Sequence, residues 1–362
     1  MAGSGPYGPN KGVELVKTKA AVLWELGKNW EVVELDLDPP KQGEVLIRYV
    51  AAGLCHSDEH LRHGDIVPRF PLVGGHEGAG IVEEVGPGVS RVKPGDHVVC
   101  SFIPSCGFCR WCSTGQQNLC DLGAMCMIGT FSQWSTISET SCVRVDPDLD
   151  LETAVLVGCG VPTGWGSAVY AAEVEPGDTV AIYGIGGIGI NAVQGAKCAG
   201  AQNIIAIDPL ANKREMAEQM GATHAVGSAA EAQELVTQLT RGVGADKSIV
   251  TVDVVDEDVV QAGFDVIRKG GTEVITGLAD PMKQTVHLSG AVMTLFQKTV
   301  KGTLFGNSNP MRDITKMLDL YQAGQIKLDE LITKKYKLEE INQGYDDLIA
   351  GKNIRGVIVH EH

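Results

Sequence analysis

At 362 residues, with 44% hydrophobic and 21% charged positions, the chain has an ordinary globular composition and is too long for one core, so two domains are expected. Its 30 basic against 45 acidic residues leave a net charge of −15, which argues against a nucleic-acid partner, since neutralising phosphates needs a basic face. No run reaches the roughly 18 apolar residues of a membrane span, and MAGSGPYGPNKGVELVKTK lacks the apolar core of a signal peptide. A cytoplasmic chain without a membrane role is therefore expected. In that reducing setting its 10 cysteines point to thiolate metal ligands rather than disulfides. Cys100, Cys126, Cys142 and Cys198 belong to no motif and read as small buried hydrophobes.

Residues 1–18 are Gly/Pro-rich and polar, a mobile extension. From Lys19 to about Val99, the runs AAVLW, EVLIRYV, GAGIVEEVG and DHVVC read as short strands divided by KQGE, GPGVS and KPGD, which predicts a β-rich, barrel-like unit. A cysteine lobe follows, and GTFSQWSTISETSCVRV resumes strand-like alternation. Near Thr163 the character changes. TVAIY, NIIAID, SIVTVDV and TEVITG are strand candidates, with NKREMAEQM and AQELVTQLT as helices between them, so βαβ units and a parallel sheet are predicted. After about Phe305, PMRDITKMLDLYQAGQ and LEEINQGYDDLIAG read as helices and RGVIVH as a last strand.

Gly184, Gly186 and Gly189 form G-x-G-x-x-G, with Gly187 inside it, between the strand TVAIY and the helical run INAVQGAKCAG. An acid, Asp208, ends the next strand 19 residues beyond Gly189. In this context the glycines allow a tight turn and close approach of a pyrophosphate to a helix N-terminus, while Asp208 would accept hydrogen bonds from the adenine-ribose hydroxyls. Pro209 follows with no arginine beside it, which favours NAD over its 2′-phosphorylated form.

Cys106, Cys109, Cys112 and Cys120 are spaced C-x2-C-x2-C-x7-C. Four thiolates so placed close a tetrahedral zinc site that staples a loop. The ferredoxin-type pattern has a shorter last spacing and a following proline, whereas Asp121 follows Cys120 here. Cys55, His76 and Cys159 lie far apart in sequence. On pattern alone they are either a second zinc set with one open position, as in catalytic zinc sites, or two buried cysteines and a satisfied core histidine.

GLCHSDEH, GGHEGAGIVEEVGPGV, the four-cysteine lobe, GCGVPTGWGSAV and GIGGIG together, in this order, resemble the zinc-dependent medium-chain alcohol dehydrogenases over nearly the whole chain. GVPTGWGSAV, CRWCSTGQQNLCDLGA and the C-terminal LDELITKKYKLEEINQGYDDLIAGKNIRGVIV most resemble the nicotinoprotein branch, whose members keep NAD bound and are assayed with a nitrosoaniline electron acceptor. The resemblance implies an α/β architecture: a GroES-like catalytic domain over 19–162 and 305–362, with the zinc lobe at 106–120, interrupted by a Rossmann doubly wound parallel sheet over 163–304. It makes Cys55, His76 and Cys159 ligands of a catalytic zinc. Ser57 would take the alcohol proton and pass it through the nicotinamide ribose to His60. Asp58 would orient His76, and Glu77 would lie close enough to the metal to serve as an occasional ligand. Thr163 and Ile188 would pack near the nicotinamide, Lys213 beside the adenosine ribose and Arg355 against the pyrophosphate. Ile66 and Phe102 would line the substrate channel. Read from their surroundings alone, Ser57 and His60 are a turn hydroxyl and a surface histidine.

Two features depart from the family. His56 stands where many members have an arginine that pairs with the pyrophosphate, and histidine is charged only part of the time near neutral pH. Between Cys120 and GTFSQ the family carries a longer segment than DLGAMCMI. Either the substrate-side loop is truncated, or residues are missing from the sequence, which the family match of DLGA and of MCMIGTFSQ on their own sides of the junction favours. The expected function is zinc- and NAD-dependent oxidation of primary alcohols or reduction of aldehydes, with two zinc ions and one tightly held NAD per chain. The expected assembly is a homodimer or homotetramer, with a redox partner that reoxidises bound NADH. The rival activities are a thiol-dependent formaldehyde dehydrogenase with exchangeable NAD and a non-catalytic NAD-binding protein.

Overall fold

The computed structural model describes residues 15–64, 69–123, 128–279 and 285–362. Residues 1–14 of the N-terminal extension, Ile66, Cys126 and half of the short junction after Cys120 lie outside the described residues. The first strand begins at Val16, so the expected extension through residue 18 ends earlier: Thr18 is already tied to Ser132, with their hydroxyls 2.8 Å apart.

Six parallel strands make the second unit's sheet, in the spatial order His224–Val226, Asn203–Ile207, Thr179–Tyr183, Ala245–Val250, Ile267–Ile275, Thr299–Gly302. By sequence this order is 3-2-1-4-5-6, the doubly wound arrangement. TVAIY is buried at every position because helices cover both faces of the sheet. A parallel strand therefore reads as a continuous apolar run rather than an alternation. The order reverses between Thr179–Tyr183 and Ala245–Val250, and a ligand crevice opens beyond the carboxyl ends of strands at such a point.

The other unit is built around a mostly antiparallel seven-stranded sheet whose centre is the 11-residue strand Glu44–Leu54. The strand Arg355–Val359, from the far end of the chain, pairs antiparallel with it, Gly356 opposite Leu54. The C-terminus thus returns to the first sheet. Between the units run the helices Leu151–Gly158 and Gly160–Ala171. They are apolar on nearly every face because they are packed into the largest core cluster, with Val155, Leu156, Val161 and Trp165 all buried. Among the described residues no single helix is long and apolar enough to cross a membrane.

Candidate active site

A cleft of about 970 Å³ opens at the point where the sheet order reverses, and residues of both units line it. On one wall, the strand Thr179–Tyr183 ends in Gly184, whose φ of +86° is open to glycine but strained for other residues. A Cβ on Gly189 would sit 1.9 Å from the Gly184 carbonyl oxygen, so the helix starting there packs tightly on the strand. A Cβ on Gly186, by contrast, would meet no protein atom within 4 Å. That is the space a pyrophosphate needs. The Asp208 carboxylate accepts from the amides of Ile185 (2.8 Å) and Leu210 (2.9 Å), which braces the turn and holds the acid at the cleft. The sequence reading saw no arginine beside Asp208. Arg214, one turn into the helix Ala211–Met220, in fact donates to the carbonyls of Asp208 (2.7 Å) and Pro209 (2.9 Å). Those bonds occupy one of its terminal nitrogens.

On the opposite wall, Cys55, His76, Glu77 and Cys159 bring one ligand atom each to within 4.8 Å of one another. Cys55 follows the central strand and occupies the N-cap position of the helix His56–His63. His76 directly precedes the strand Glu77–Val85, and Cys159 caps the helix Gly160–Gly166. Three elements distant in sequence therefore converge. Asp58 reaches His76 Nδ1 at 3.0 Å and accepts from the Gly75 amide at 3.1 Å, and His76 Nε2 is buried with no hydrogen-bond partner. An imidazole fixed on one nitrogen, with the other bare and facing thiols, fits a metal ligand. The Cys55 thiol is held well below its ordinary range, chiefly by the neighbouring Cys159 thiol and against the upward push of burial. Cys159 is pushed well up by Cys55 and by burial. Cys159 thus favours the ionisation of Cys55 while Cys55 opposes that of Cys159, and a cation between them would favour both thiolates.

Glu77 is fully buried and ion-paired with Arg355. Burial raises its carboxyl to about 7, and the arginine pulls the other way. Arg355 also packs on the glycine turn: a Cβ on Gly187 would meet its Cδ at 2.8 Å, and one on Gly160 its Nη1 at 2.2 Å. It lies where a pyrophosphate would approach but already holds a carboxylate, which the sequence reading did not anticipate.

Ser57 Oγ lies 3.6 Å from Cys55 Sγ, and Thr163 donates to the Cys159 carbonyl at 2.7 Å. Both line the cleft, as do Ile188 and Lys213. His60 is nearly buried, with its Nε2 3.5 Å from Asp253 Oδ1, and His56 Nε2 is 3.9 Å from the other oxygen of the same carboxylate. Sequence reasoning missed Asp253. Its signal was an acid near the end of the predicted strand SIVTVDV, whose observed strand stops at Val250, on the side where ligands bind. Phe102 stands edge-on to His76 (5.3 Å between ring centroids) and to Phe305 (5.6 Å), an aromatic wall beside the metal-ligand set. Phe305, at an expected domain boundary, was also missed.

In the cysteine lobe, Cys106, Cys109, Cys112 and Cys120 likewise gather within 4.8 Å. Gly107, at φ +90°, turns the chain so that the Cys109 amide donates to Cys106 Sγ and the Cys112 amide to Cys109 Sγ, each at 3.4 Å. Backbone donors at Asp121 and Cys112 lower the Cys109 thiol to about 6. Amides that stabilise thiolates suit a closed zinc site. Of the unassigned cysteines, Cys100 and Cys142 are buried as expected. Cys198 is exposed instead, because it is the last residue of the helix Gly189–Cys198 and faces out.

Residues 41–147 match the alcohol dehydrogenase GroES-like domain, and residues 187–323 match the zinc-binding dehydrogenase family. The chain belongs to the zinc-binding alcohol dehydrogenases. It is 63% identical to an NDMA-dependent alcohol dehydrogenase of Amycolatopsis methanolica, over 95% of this chain and 99% of that one. It is 46% identical to alcohol dehydrogenase B of Mycobacterium tuberculosis, over 95% and 98%. Among solved structures, the benzyl alcohol dehydrogenase of Acinetobacter calcoaceticus superposes with a TM-score of 0.90 at 29% identity, covering 96% of this chain and 100% of the other. Like its relatives in this family, the chain is an oxidoreductase acting on CH–OH donors. The alignment with the Amycolatopsis enzyme runs over 368 positions, more than this chain has residues, so that relative carries positions absent here.

Proposed function

We propose that this alcohol dehydrogenase oxidises primary alcohols with an apolar body, using zinc at Cys55, His76 and Cys159 and an NAD that stays bound, with a second, structural zinc in the cysteine lobe. One observation carries the reading: the bare Nε2 of His76 and the two thiols open onto the same cleft as the unfilled space beside Gly186. Bound there, zinc would supply Lewis acidity toward a hydroxyl, and NAD would supply the hydride acceptor.

The chain's own groups do the rest. Asp58 fixes the His76 ring, and Phe102 and Phe305 exclude water from the reacting end of the cleft. Ser57 stands beside Cys55 as the first acceptor of the hydroxyl proton, and His60 stands one helical turn further as the next. Asp208, Lys213 and Arg355 position the dinucleotide. NAD is favoured over its 2′-phosphorylated form because the Asp208 carboxylate, held at the cleft by the Ile185 and Leu210 amides, repels a phosphate. The dependence of the Amycolatopsis relative on NDMA supports a retained cofactor, which a redox partner would have to reoxidise. The Acinetobacter enzyme's name accords with the aromatic wall. A homodimer or homotetramer in the cytoplasm is part of this reading.

The test is cofactor content and turnover of extensively desalted protein without added NAD. Near-stoichiometric NAD in the denatured supernatant, with nitrosoaniline reduced by a primary alcohol, is expected. An empty site, with activity only on adding NAD, would overturn cofactor retention and favour the formaldehyde-type activity with exchangeable NAD.

A further inference from the structure

Asp253 comes from the segment that follows the strand Ala245–Val250. That segment is fastened to the glycine turn: the Thr251 amide donates to the Tyr183 carbonyl at 2.8 Å and its hydroxyl to the Gly184 carbonyl at 2.6 Å. From this anchored position the carboxylate crosses the cleft to the helix His56–His63 of the other unit. Its Oδ1 is 3.5 Å from His60 Nε2, and its Oδ2 is 3.9 Å from His56 Nε2. The His60 side chain is 8% exposed and that of Asp253 50%. The carboxylate therefore joins an enclosed imidazole to solvent.

We propose that Asp253 is a positioning residue of the proton route: it orients the His60 ring across the domain cleft and stabilises the positive charge the ring gains. The inference rests on the relay proposed above. In that relay the proton leaving the substrate hydroxyl reaches His60 and converts imidazole to imidazolium. A buried imidazolium without an anion is costly; with a carboxylate at ion-pair distance it is stabilised, as an acid behind a catalytic histidine does in other enzymes. Asp253 stays ionised throughout, and the proton leaves from His60 to water at the open side of the pair. At 3.5 Å and half exposure the attraction is screened and not that of a short hydrogen bond, so a moderate effect is expected.

The charged groups facing the pair agree with this role. Cys55 and His56 lie on the helix side, and Lys213 acts on His56 from across the groove. Burial pushes the Asp253 carboxyl up, but the bond from His60 and the charges of His56 and His60 more than offset it and leave it below its ordinary value. The anion therefore persists at neutral pH.

The experiment compares Asp253→Asn and Asp253→Glu with wild type in zinc-loaded protein. The His60 ring is titrated by NMR in histidine-labelled protein stripped of cofactor, its resonance assigned with His60→Gln. In D253N the His60 titration is expected to fall by about half a unit or more. Turnover on a primary alcohol should fall by roughly 3- to 10-fold with little change in KM, and D253E should restore part of both. An unchanged His60 titration in D253N would overturn the proposal even if turnover fell, because Asp253 would then act only through the cofactor or the fold. A shifted titration with wild-type turnover would overturn it too. A shifted titration in a protein whose wild type shows no alcohol oxidation would leave the pairing standing and overturn the function it serves.

Discussion

Gly186 and Gly189 belong to one motif, yet the structure gives them different duties that substitution separates. A Cβ at position 186 meets nothing within 4 Å, and Gly186 is not among the residues at positive φ. Gly186→Val therefore projects two methyl groups into the cleft without disturbing the protein. Its effect on the cofactor-free fold should be under about 1 kcal/mol in either direction, since restricting an unstrained glycine in the unfolded chain is slightly stabilising. If the pyrophosphate lies against the turn, the same methyl groups occupy its place. Losing about 3 kcal/mol of contact would weaken binding by roughly 100-fold or more. At position 189 the added carbon would sit 1.9 Å from the Gly184 carbonyl oxygen and 2.7 Å from Thr251 Oγ1, so helix and strand must part. Overpacking of this kind costs about 1–3 kcal/mol or more.

The assay pairs cofactor content, released by denaturation, with thermal unfolding of protein stripped of cofactor. Gly186→Val is expected to purify empty while its stripped form melts within about 2 °C of stripped wild type. Stripped Gly189→Ala is expected to melt several degrees lower. Wild-type cofactor content in Gly186→Val would refute the assignment of this turn as the pyrophosphate seat. A stripped Gly186→Val as unstable as Gly189→Ala would refute the claim that the space is free.

Asp58→Asn keeps the shape of the group facing His76 Nδ1 but removes its charge, and zinc affinity at the cleft should fall by about 10- to 100-fold, read as one zinc lost per chain on dialysis against a mild chelator while the other stays. Cys120→Ser should open the cysteine lobe, releasing the other zinc and making residues 106–120 the first site of proteolytic cleavage; an uncut lobe would count against a metal staple. Glu273 is fully buried with neither carboxylate oxygen hydrogen-bonded, and burial raises it from 4.5 to about 8. The native state therefore holds its proton where the unfolded chain does not, so stability should fall as pH rises from about 4.5 to about 8, by up to a few kcal/mol. Glu273→Gln should flatten that fall in urea unfolding at several pH values, and an unchanged slope would show that the carboxyl is already ionised in the fold.

What could be read from the sequence was local. The cysteine lobe is closed by turns a few residues long, and the phosphate turn lies between adjacent strand and helix, so spacing and context carried both. TVAIY and NIIAID were legible because a doubly covered strand shows an unbroken apolar run. The helix Gly160–Gly166 was not legible: GVPTGWG is poor in helix formers, and burial of all seven residues holds it in place of propensity. Arg214 was missed beside Asp208 because its long side chain reaches back from the first turn of the helix to carbonyls that precede it. The Glu77–Arg355 pair joins positions 278 apart, and no periodicity announces such a contact. Asp253 is a similar case, since its partners lie in the other unit.

Arg355 shows why those distant contacts matter more than their number suggests. It heads the C-terminal strand that pairs with the end of Glu44–Leu54, one residue before Cys55, so its backbone is registered to the metal-ligand set. Its guanidinium lies between Glu77 on one side and Gly160 and Gly187 on the other, and both glycines lack the Cβ that would collide with it. Gly53 makes room for the carboxylate in the same way: a Cβ there would meet Glu77 Oε2 at 2.0 Å. Glu77 Oε1 is buried with no partner, as is Arg355 Nε, so this pair is incompletely satisfied within the protein alone. A cation among the thiols would draw on the carboxylate and an anion at the turn on the guanidinium, each at the expense of the bond between them. If both groups bind as proposed, occupancy at one site would change the electrostatic environment of the other through this side-chain pair. The return of the C-terminus to the first sheet is what places that pair between the Cys55, His76 and Cys159 cluster and the glycine turn at Gly187.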